Sequence, residues 1–213
     1  MERKVSWPLY LTAFLISAAV FVAGIFVGKL MDQGDVQTIT ADVEGLSERL
    51  AVVQMLILTE EADSSAFCPL YASELEAIDE EREKLGYELS FLEEKRKLDA
   101  PELKKEYFLL EAQSYFLSKK LKDLCEDDSI LLLYFYSNKN CSECGQQGAD
   151  ILAARDSTGV NVRIYSFDGE IGSPIAEAFM QQFNVTGYPS VVIDGELHSR
   201  YMSEEELASE FSG

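Results

Sequence analysis

Basic side chains are scarce in this sequence: 18 Lys and Arg stand against 38 Asp and Glu, a formal charge of −20 at pH 7. Residues 126–213 carry 15 acidic and 4 basic side chains, or −11 by themselves. Such a field repels nucleic acids and acidic surfaces and favours basic or neutral polypeptides, so no nucleic-acid partner is expected. A solvated surface that keeps the chain soluble accounts for the same acidity. Histidine is all but missing, with His198 alone, and cysteine is limited to Cys68, Cys125, Cys141 and Cys144. A structural zinc site takes about four ligands. Cys141 and Cys144 would have to recruit theirs from Cys68, Cys125 and a histidine in an expected surface strand, which argues against a metal. Charge is absent altogether from Val5 to Gly28.

That uncharged run has 24 residues. As a helix it would span about 36 Å, more than the ~30 Å hydrocarbon core of a bilayer. Trp7 and Tyr10 fall where an interfacial aromatic belt lies. A cleaved signal peptide is the alternative, but the run exceeds the usual apolar core of such a peptide and no small-x-small cleavage site precedes Lys29. The reading is therefore an uncleaved transmembrane helix over 5–28 that sits in membrane lipid. Arg3 and Lys4 precede it, whereas Asp32, Asp35 and Asp42 follow soon after Lys29. The positive-inside rule then places 1–4 in the cytoplasm and the rest outside the cell membrane, as a single-pass protein. Gly24 and Gly28 form a G-x-x-x-G that would let two spans pack into a homodimer.

Helical periodicity fills the middle of the chain. Val36, Ile39, Val43, Leu46, Leu50, Val53 and Ile57 step by three and four, a coiled-coil seam that marks 29–61 as a stalk. Over 66–125 the pattern predicts an antiparallel helical hairpin. Leu75, Ile78, Leu85, Leu89 and Leu92 form its first stripe, interrupted by Arg82, and Leu103, Tyr107, Leu110, Ser114, Leu117, Leu121 and Leu124 form the second. Asp99-Ala-Pro101 is the stop and restart between them, because proline is well placed at a first helical position. The first helix either joins this hairpin or pairs with its copy in another chain. Cys68 and Cys125 lie at comparable distances from the turn, so their sulfurs fall at the same end of the pair. A structural disulfide closing that loop would contribute about 4 kcal/mol in the chain-entropy model. Two separate buried thiols, or Cys125 as a third redox cysteine, are the alternatives.

The chemistry concentrates at Cys141-Ser142-Glu143-Cys144. Ile130–Tyr136 before it is an apolar run of the kind a doubly covered strand shows, and Gln146 to Ala154 after it reads as helix. A C-x-x-C at a strand-to-helix junction places the first thiol at a helix N-terminus, where unpaired N–H groups and the helix dipole favour the reactive thiolate. Pro189 stands just ahead of a second buried-looking strand, Ser190–Ile193. Asn140 and Asn184 each head an N-x-[ST] acceptor pattern, and a sugar on Asn140 would obstruct Cys141.

With these elements in this order, residues 126–213 resemble the thioredoxin-like superfamily. The matching series is strand Ile130–Tyr136, the C-x-x-C helix, strand Asn161–Phe167, helix Pro174–Phe183, Pro189, strand Ser190–Ile193, a hairpin at Asp194-Gly195, strand Leu197–Met202 and helix Glu204–Phe211. The resemblance implies an α/β domain of order β-α-β-α-β-β-α, a mixed sheet covered by helices, with a cis proline facing the dithiol. Ser-Glu replaces Gly-Pro between the cysteines, no tryptophan precedes Cys141, and Phe135 stands where thioredoxin has a buried acid.

What the resemblance implies is a membrane-anchored thiol–disulfide oxidoreductase acting on exported cysteine-containing polypeptides. Cys141 would be the exposed nucleophile and Cys144 the resolving thiol. Tyr188 and Pro189 would present backbone to an extended substrate. No cofactor is needed, since the cysteine pair carries the two electrons, but a membrane redox partner must supply or accept them. The alternative is a membrane-tethered scaffold whose helices bind a partner and whose thioredoxin-like domain is redox-inactive.

Overall fold

The computed structural model of this chain describes residues 7–59, 68–98 and 100–213, with the side chains of 30–33, 58–59 and 94 outside the described set. Val5, Arg3, Lys4 and Asp99, used above, lie outside the described residues. The chain falls into two compact units, Met1–Ala41 and Asp42–Gly213.

Helix α1 covers Trp7–Thr59 without interruption, so the expected boundary between span and stalk near residue 28 falls inside one helix. In the first unit, one helix near the N-terminus is long and apolar enough to cross a membrane. Its Trp7, Phe14 and Phe21 side chains are exposed, as lipid-facing residues are.

The second unit begins with the remainder of α1. Val43, Leu46, Leu50 and Val53 are buried there. Helix α2 spans Cys68–Glu94 and α3 spans Pro101–Cys125, with Pro101 at the first helical position. Gln54 donates to the Gln113 carbonyl, and Arg49 pairs with Glu74 at 2.8 Å, so α1 joins the hairpin as a third helix. Cys68 and Cys125 are bonded to each other at the end of the hairpin.

The sheet consists of β1 (Ile130–Tyr136), β2 (Val162–Asp168), β3 (Ser190–Ile193) and β4 (Glu196–His198) in the order β2-β1-β3-β4. It is mixed: β1 and β2 are parallel, while β1–β3 and β3–β4 are antiparallel. Helices α4 (Cys144–Thr158), α5 (Pro174–Phe183) and α6 (Glu204–Ser212) complete the unit. Both faces of β1 are buried, which is why its sequence is apolar throughout instead of alternating. Leu132, Tyr134, Ile164 and Val191 pack against Ile151 and Ala154 of α4 and Leu207 and Phe211 of α6. On the other face Phe135 and Phe167 stack at 5.8 Å, and Phe167 meets Phe108 of α3 and Phe179 of α5. The hairpin thus supplies one layer of the sheet's own core, and the packing crosses residue 125.

Strand β4 is shorter than the predicted 197–202. The Gln147 side chain takes both backbone groups of Met202, accepting from its N–H at 2.7 Å and donating to its C=O at 3.1 Å. Those groups are withdrawn from the ladder, and the chain turns into α6 at a capping box of Ser203 and Glu206. The β3–β4 turn is Asp194-Gly195, both with positive φ (45° and 95°), the geometry such a tight hairpin requires.

Arg82, the residue that interrupts the apolar stripe of α2, is 1% exposed. Its guanidinium reaches Glu111 of α3 and the Ile164 carbonyl of β2, each at 2.7 Å, and Asp79 at 3.2 Å. It also lies over the Tyr165 ring at 4.5 Å. Asp79 in turn accepts from Arg163 of β2 and Ser114 of α3. Removing one member of such a buried set leaves a charge without its partner. Replacing Arg82 by Met should therefore destabilise the protein by about 3–5 kcal/mol in urea unfolding. Arg82→Met combined with Glu111→Leu should recover most of that loss. Replacing Cys68 and Cys125 together by Ala should cost up to about 4 kcal/mol, from a bond with a sequence separation of 57.

Candidate active site

The first helical hydrogen bond of α4 runs from Gln147 N–H to the Glu143 carbonyl, so the helix begins at Cys144 with Glu143 as its cap. The helix expected over Gln146–Ala154 thus starts two residues earlier and runs on to Thr158, and Cys141 lies in the turn just ahead of it. The two sulfurs are bonded, with Cα atoms 5.5 Å apart. Cys144 is 5% exposed, whereas Cys141 is only partly buried. The pair is asymmetric: Cys144 is buried, and Cys141 is the more exposed of the two.

Two sets of interactions hold this turn. Tyr134, at the end of β1, donates its hydroxyl to the Cys144 carbonyl at 2.5 Å and stacks on Tyr136 at 5.5 Å. Burial pushes the Tyr134 hydroxyl well above its usual range, so it stays a donor. Ahead of Cys141, the buried Ser137 hydroxyl accepts from the N–H groups of Lys139 and Asn140, both at 3.0 Å. Ser137 and Asn140 both donate to Glu170, the latter at 2.9 Å, and hold that carboxyl below its usual range. Neither Tyr134 nor Ser137 was singled out from the sequence. Tyr134 reads there as one more apolar residue in a buried strand.

The Tyr188–Pro189 peptide is cis and precedes β3. Pro189 is buried, while Tyr188 is half-buried with its hydroxyl 3.6 Å from the Met180 sulfur. Its ring lies so close to Gly169 that a Cβ there would sit 2.1 Å from the Tyr188 hydroxyl. His198 lies in β4 opposite Val191. All four cysteines are disulfide-bonded, and among the described residues no group of three His, Cys, Asp or Glu is placed to hold a metal ion.

Beside the disulfide opens a cleft of about 1010 Å³ between α2 and α4. Cys141 and Cys144 lie at one end of its lining, and Tyr134, Tyr136 and Ile164 lie along the sheet side. At the other end Arg155 of α4 pairs with Glu83 of α2 at 2.7 Å. Glu111 also lines it, fully buried, with its carboxyl pushed up to about 7 by burial against the pull of Arg82 and the Tyr107 hydroxyl. Lys104, from the start of α3, reaches Glu93 at 2.9 Å and Asp168 at 3.2 Å and lies over the Tyr136 ring. Tyr188, Pro189, Cys68 and Cys125 are not part of the lining.

No family model matches the chain, and no curated protein matches it. A solved structure titled "Structure of a malarial protein" aligns with 38% of this chain and 92% of its own, at 17% identity and a TM-score of 0.33. A likeness of that size carries no argument.

The raised Glu111 pKa has a thermodynamic consequence. An acid whose folded value lies near 7, against 4.5 when solvated, binds more protons folded than unfolded between those two pH values. The stability contributed by this group is then fully present below about 4.5 and is lost as pH rises to about 7, by up to about 1.4 kcal/mol per pH unit. Glu111→Gln should remove that slope when unfolding is followed from pH 4.5 to 7.5 with the wild type alongside.

Proposed function

We propose that this protein is a membrane-anchored thiol–disulfide oxidoreductase with a thioredoxin-like redox domain, acting on exported polypeptides. The observation that carries the reading is the asymmetric Cys141–Cys144 pair at the start of α4, directly after the central strand β1. Several features support it. The element order and the mixed sheet, with β1 and β2 parallel and β3 and β4 antiparallel, are of the kind the resemblance implies. So does a cis Tyr188–Pro189 bond ahead of β3. The apolar helix suits an anchor, and the charges flanking it favour a cytoplasmic N-terminus and an extracytoplasmic redox domain.

In this reading Cys141 and Cys144 exchange two electrons with a substrate cysteine pair. When the protein acts as oxidant, a substrate thiolate attacks the Cys141 sulfur and Cys144 leaves as thiolate. A second substrate thiolate then attacks the substrate sulfur of the mixed disulfide and releases Cys141. As reductant, the same steps run backwards. Tyr134 fixes the backbone of Cys144 and Ser137 shapes the turn ahead of Cys141, so both act as positioning residues. Tyr188 and Pro189 are assigned the role of presenting backbone to an extended substrate. The cysteine pair is its own electron carrier, and a membrane partner completes the cycle.

Insulin reduction by the full chain in lipid nanodiscs, with dithiothreitol as electron source, is the test. Wild type should accelerate precipitation of the insulin B chain, and Cys141→Ser should abolish the acceleration. Cys144→Ser should instead accumulate mixed disulfides with client proteins, because the resolving thiol is gone. Folded wild-type protein with no activity, and no trapping by Cys144→Ser, would favour a tethered scaffold.

A further inference from the structure

The cleft beside the disulfide has a wall that a minimal redox domain would not possess, because α2 belongs to the helical hairpin. Along α4 it extends from Cys144 to Arg155, about 16 Å at 1.5 Å per residue. That length accommodates about five residues of extended chain. The Arg155–Glu83 pair ties α2 to α4 at the far end, and at the cysteine end Asn138, ahead of Cys141, donates to Glu93 of α2 at 3.2 Å, so the cleft has a defined length. The α4 wall is low next to the cysteines. A Cβ on Gly145 would meet nothing within 4 Å, and one on Gly148 would meet only the Tyr134 ring, at 3.6 Å. On this wall Leu152 is partly exposed, and on the facing α2 wall Tyr87 is 57% exposed, both within the lining.

Charge narrows the occupant. The lining contains five Lys or Arg and five Asp or Glu, so the cleft is formally neutral within a chain of −20. Both lysines of the lining other than Lys104, Lys97 and Lys139, come from the segments flanking its cysteine end. An acidic segment would still meet the strongly negative field of the rest of the protein on approach. A neutral segment with a large apolar side chain gains contact with the tyrosines and Leu152 and loses nothing to repulsion.

Resting on the function proposed above, we infer that this cleft receives the chain segment next to the reacting cysteine of the substrate, and selects an aromatic or branched aliphatic side chain within about four residues of it. Such side chains are buried once a protein has folded. The preferred substrate is therefore an exported polypeptide that has not finished folding, with its cysteine in an apolar stretch. In the reducing half-reaction the Cys141 thiolate attacks the substrate sulfur, and the other half of the substrate disulfide departs as thiolate. Cys144 then attacks the Cys141 sulfur, releases the substrate thiolate and leaves the Cys141–Cys144 disulfide seen in the structure.

Synthetic peptides test this. Each carries one cysteine as a mixed disulfide with thionitrobenzoate, and a Phe, Gly or Glu three residues from it on either side. The full chain in lipid nanodiscs is reduced with dithiothreitol, freed of it and mixed with each peptide, and the released chromophore is followed. The Cys141→Ser protein supplies the background from other thiols. The free reagent dithiobis(nitrobenzoate), which has no peptide, reports the dithiol by itself. A Phe peptide should react about tenfold faster than its Gly counterpart, the size expected from burying most of one aromatic side chain. The Glu peptide should react no faster than Gly. Gly148→Leu, which fills the cleft, and Tyr87→Ala, which removes an exposed wall residue, should each bring the Phe-to-Gly ratio toward one. Equal rates for Phe and Gly in the wild type, with a normal reagent rate, would overturn the inference and leave the redox function standing. So would a preference that survives in both variants. A reagent rate that does not depend on Cys141 would overturn the function itself, and this inference with it.

Discussion

Burying the Arg82 guanidinium constrains this structure more than any other single interaction. Taking a charge of that size out of water costs several kcal/mol even after relaxation, and the cost is recovered only if carboxylates and acceptors meet it with good geometry. Here the partners come from three elements: Asp79 on α2 itself, Glu111 on α3 and the Ile164 carbonyl of β2. Satisfying all of them at once sets the register between the two hairpin helices and fixes the hairpin against the sheet. Arg163 extends the same set, pairing with Asp79 and with Asp127 just ahead of β1. Apolar contacts alone would tolerate some sliding of α2 along the sheet, because their energy depends on area and not direction.

The position of α2 has two consequences. Strand β2 lies at the edge of the sheet, where unpaired backbone groups invite pairing with another chain. Arg82 occupies one of its carbonyls, and Arg163 of the strand pairs with Asp79 of α2. The same placement raises a wall opposite α4, so that the Cys141–Cys144 disulfide borders a cleft instead of an open surface. Lys104 and Arg155 repeat the theme on a smaller scale, tying the hairpin to Asp168 at the end of β2 and to α4. Stability and the candidate site are thus linked through one polar layer. The Glu111 carboxyl within it, held near 7, makes the layer sensitive to pH in the physiological range.

Around the cysteines, the geometry arises from neighbours that are ordinary in sequence. Tyr134 lies in a strand buried on both faces, and only its height along β1 brings its hydroxyl to the Cys144 carbonyl. Gln147, one turn into α4, spends its side chain on the backbone of Met202. That contact locks α4 to the segment entering α6. Strand β4 ends at His198, short of the 197–202 that the resemblance implies, and the backbone of Met202 is held by Gln147 instead of by a neighbouring strand. The C-x-x-C helix was placed correctly in outline, yet its first residue is Cys144. A helix start depends on which carbonyl accepts first, here Glu143, and Glu143 offers no side-chain bond that would mark it as a cap.

The local features follow from the sequence because their causes lie within a few residues. The uncharged run that makes the first part of α1 apolar, the proline starts of α3 and α5, the Asp194-Gly195 turn and the Ser203–Glu206 capping box each rest on side chains adjacent in the chain. Strands β1 and β3 keep the ends their composition predicts, since a buried strand must be apolar along its whole length. Arg82 could be seen only as an interruption in a stripe. Its meaning depends on Ile164, 82 residues away, and on Glu111 on another helix. The cleft likewise has no sequence signature, because its walls come from α2 and α4, which are far apart in the chain and meet only in the folded structure. Periodicity, capping and turn chemistry act over about one helical turn and were therefore legible in the sequence. The pairing of buried charges and the shape of the space beside the cysteines act across the fold, and tertiary structure alone decided them.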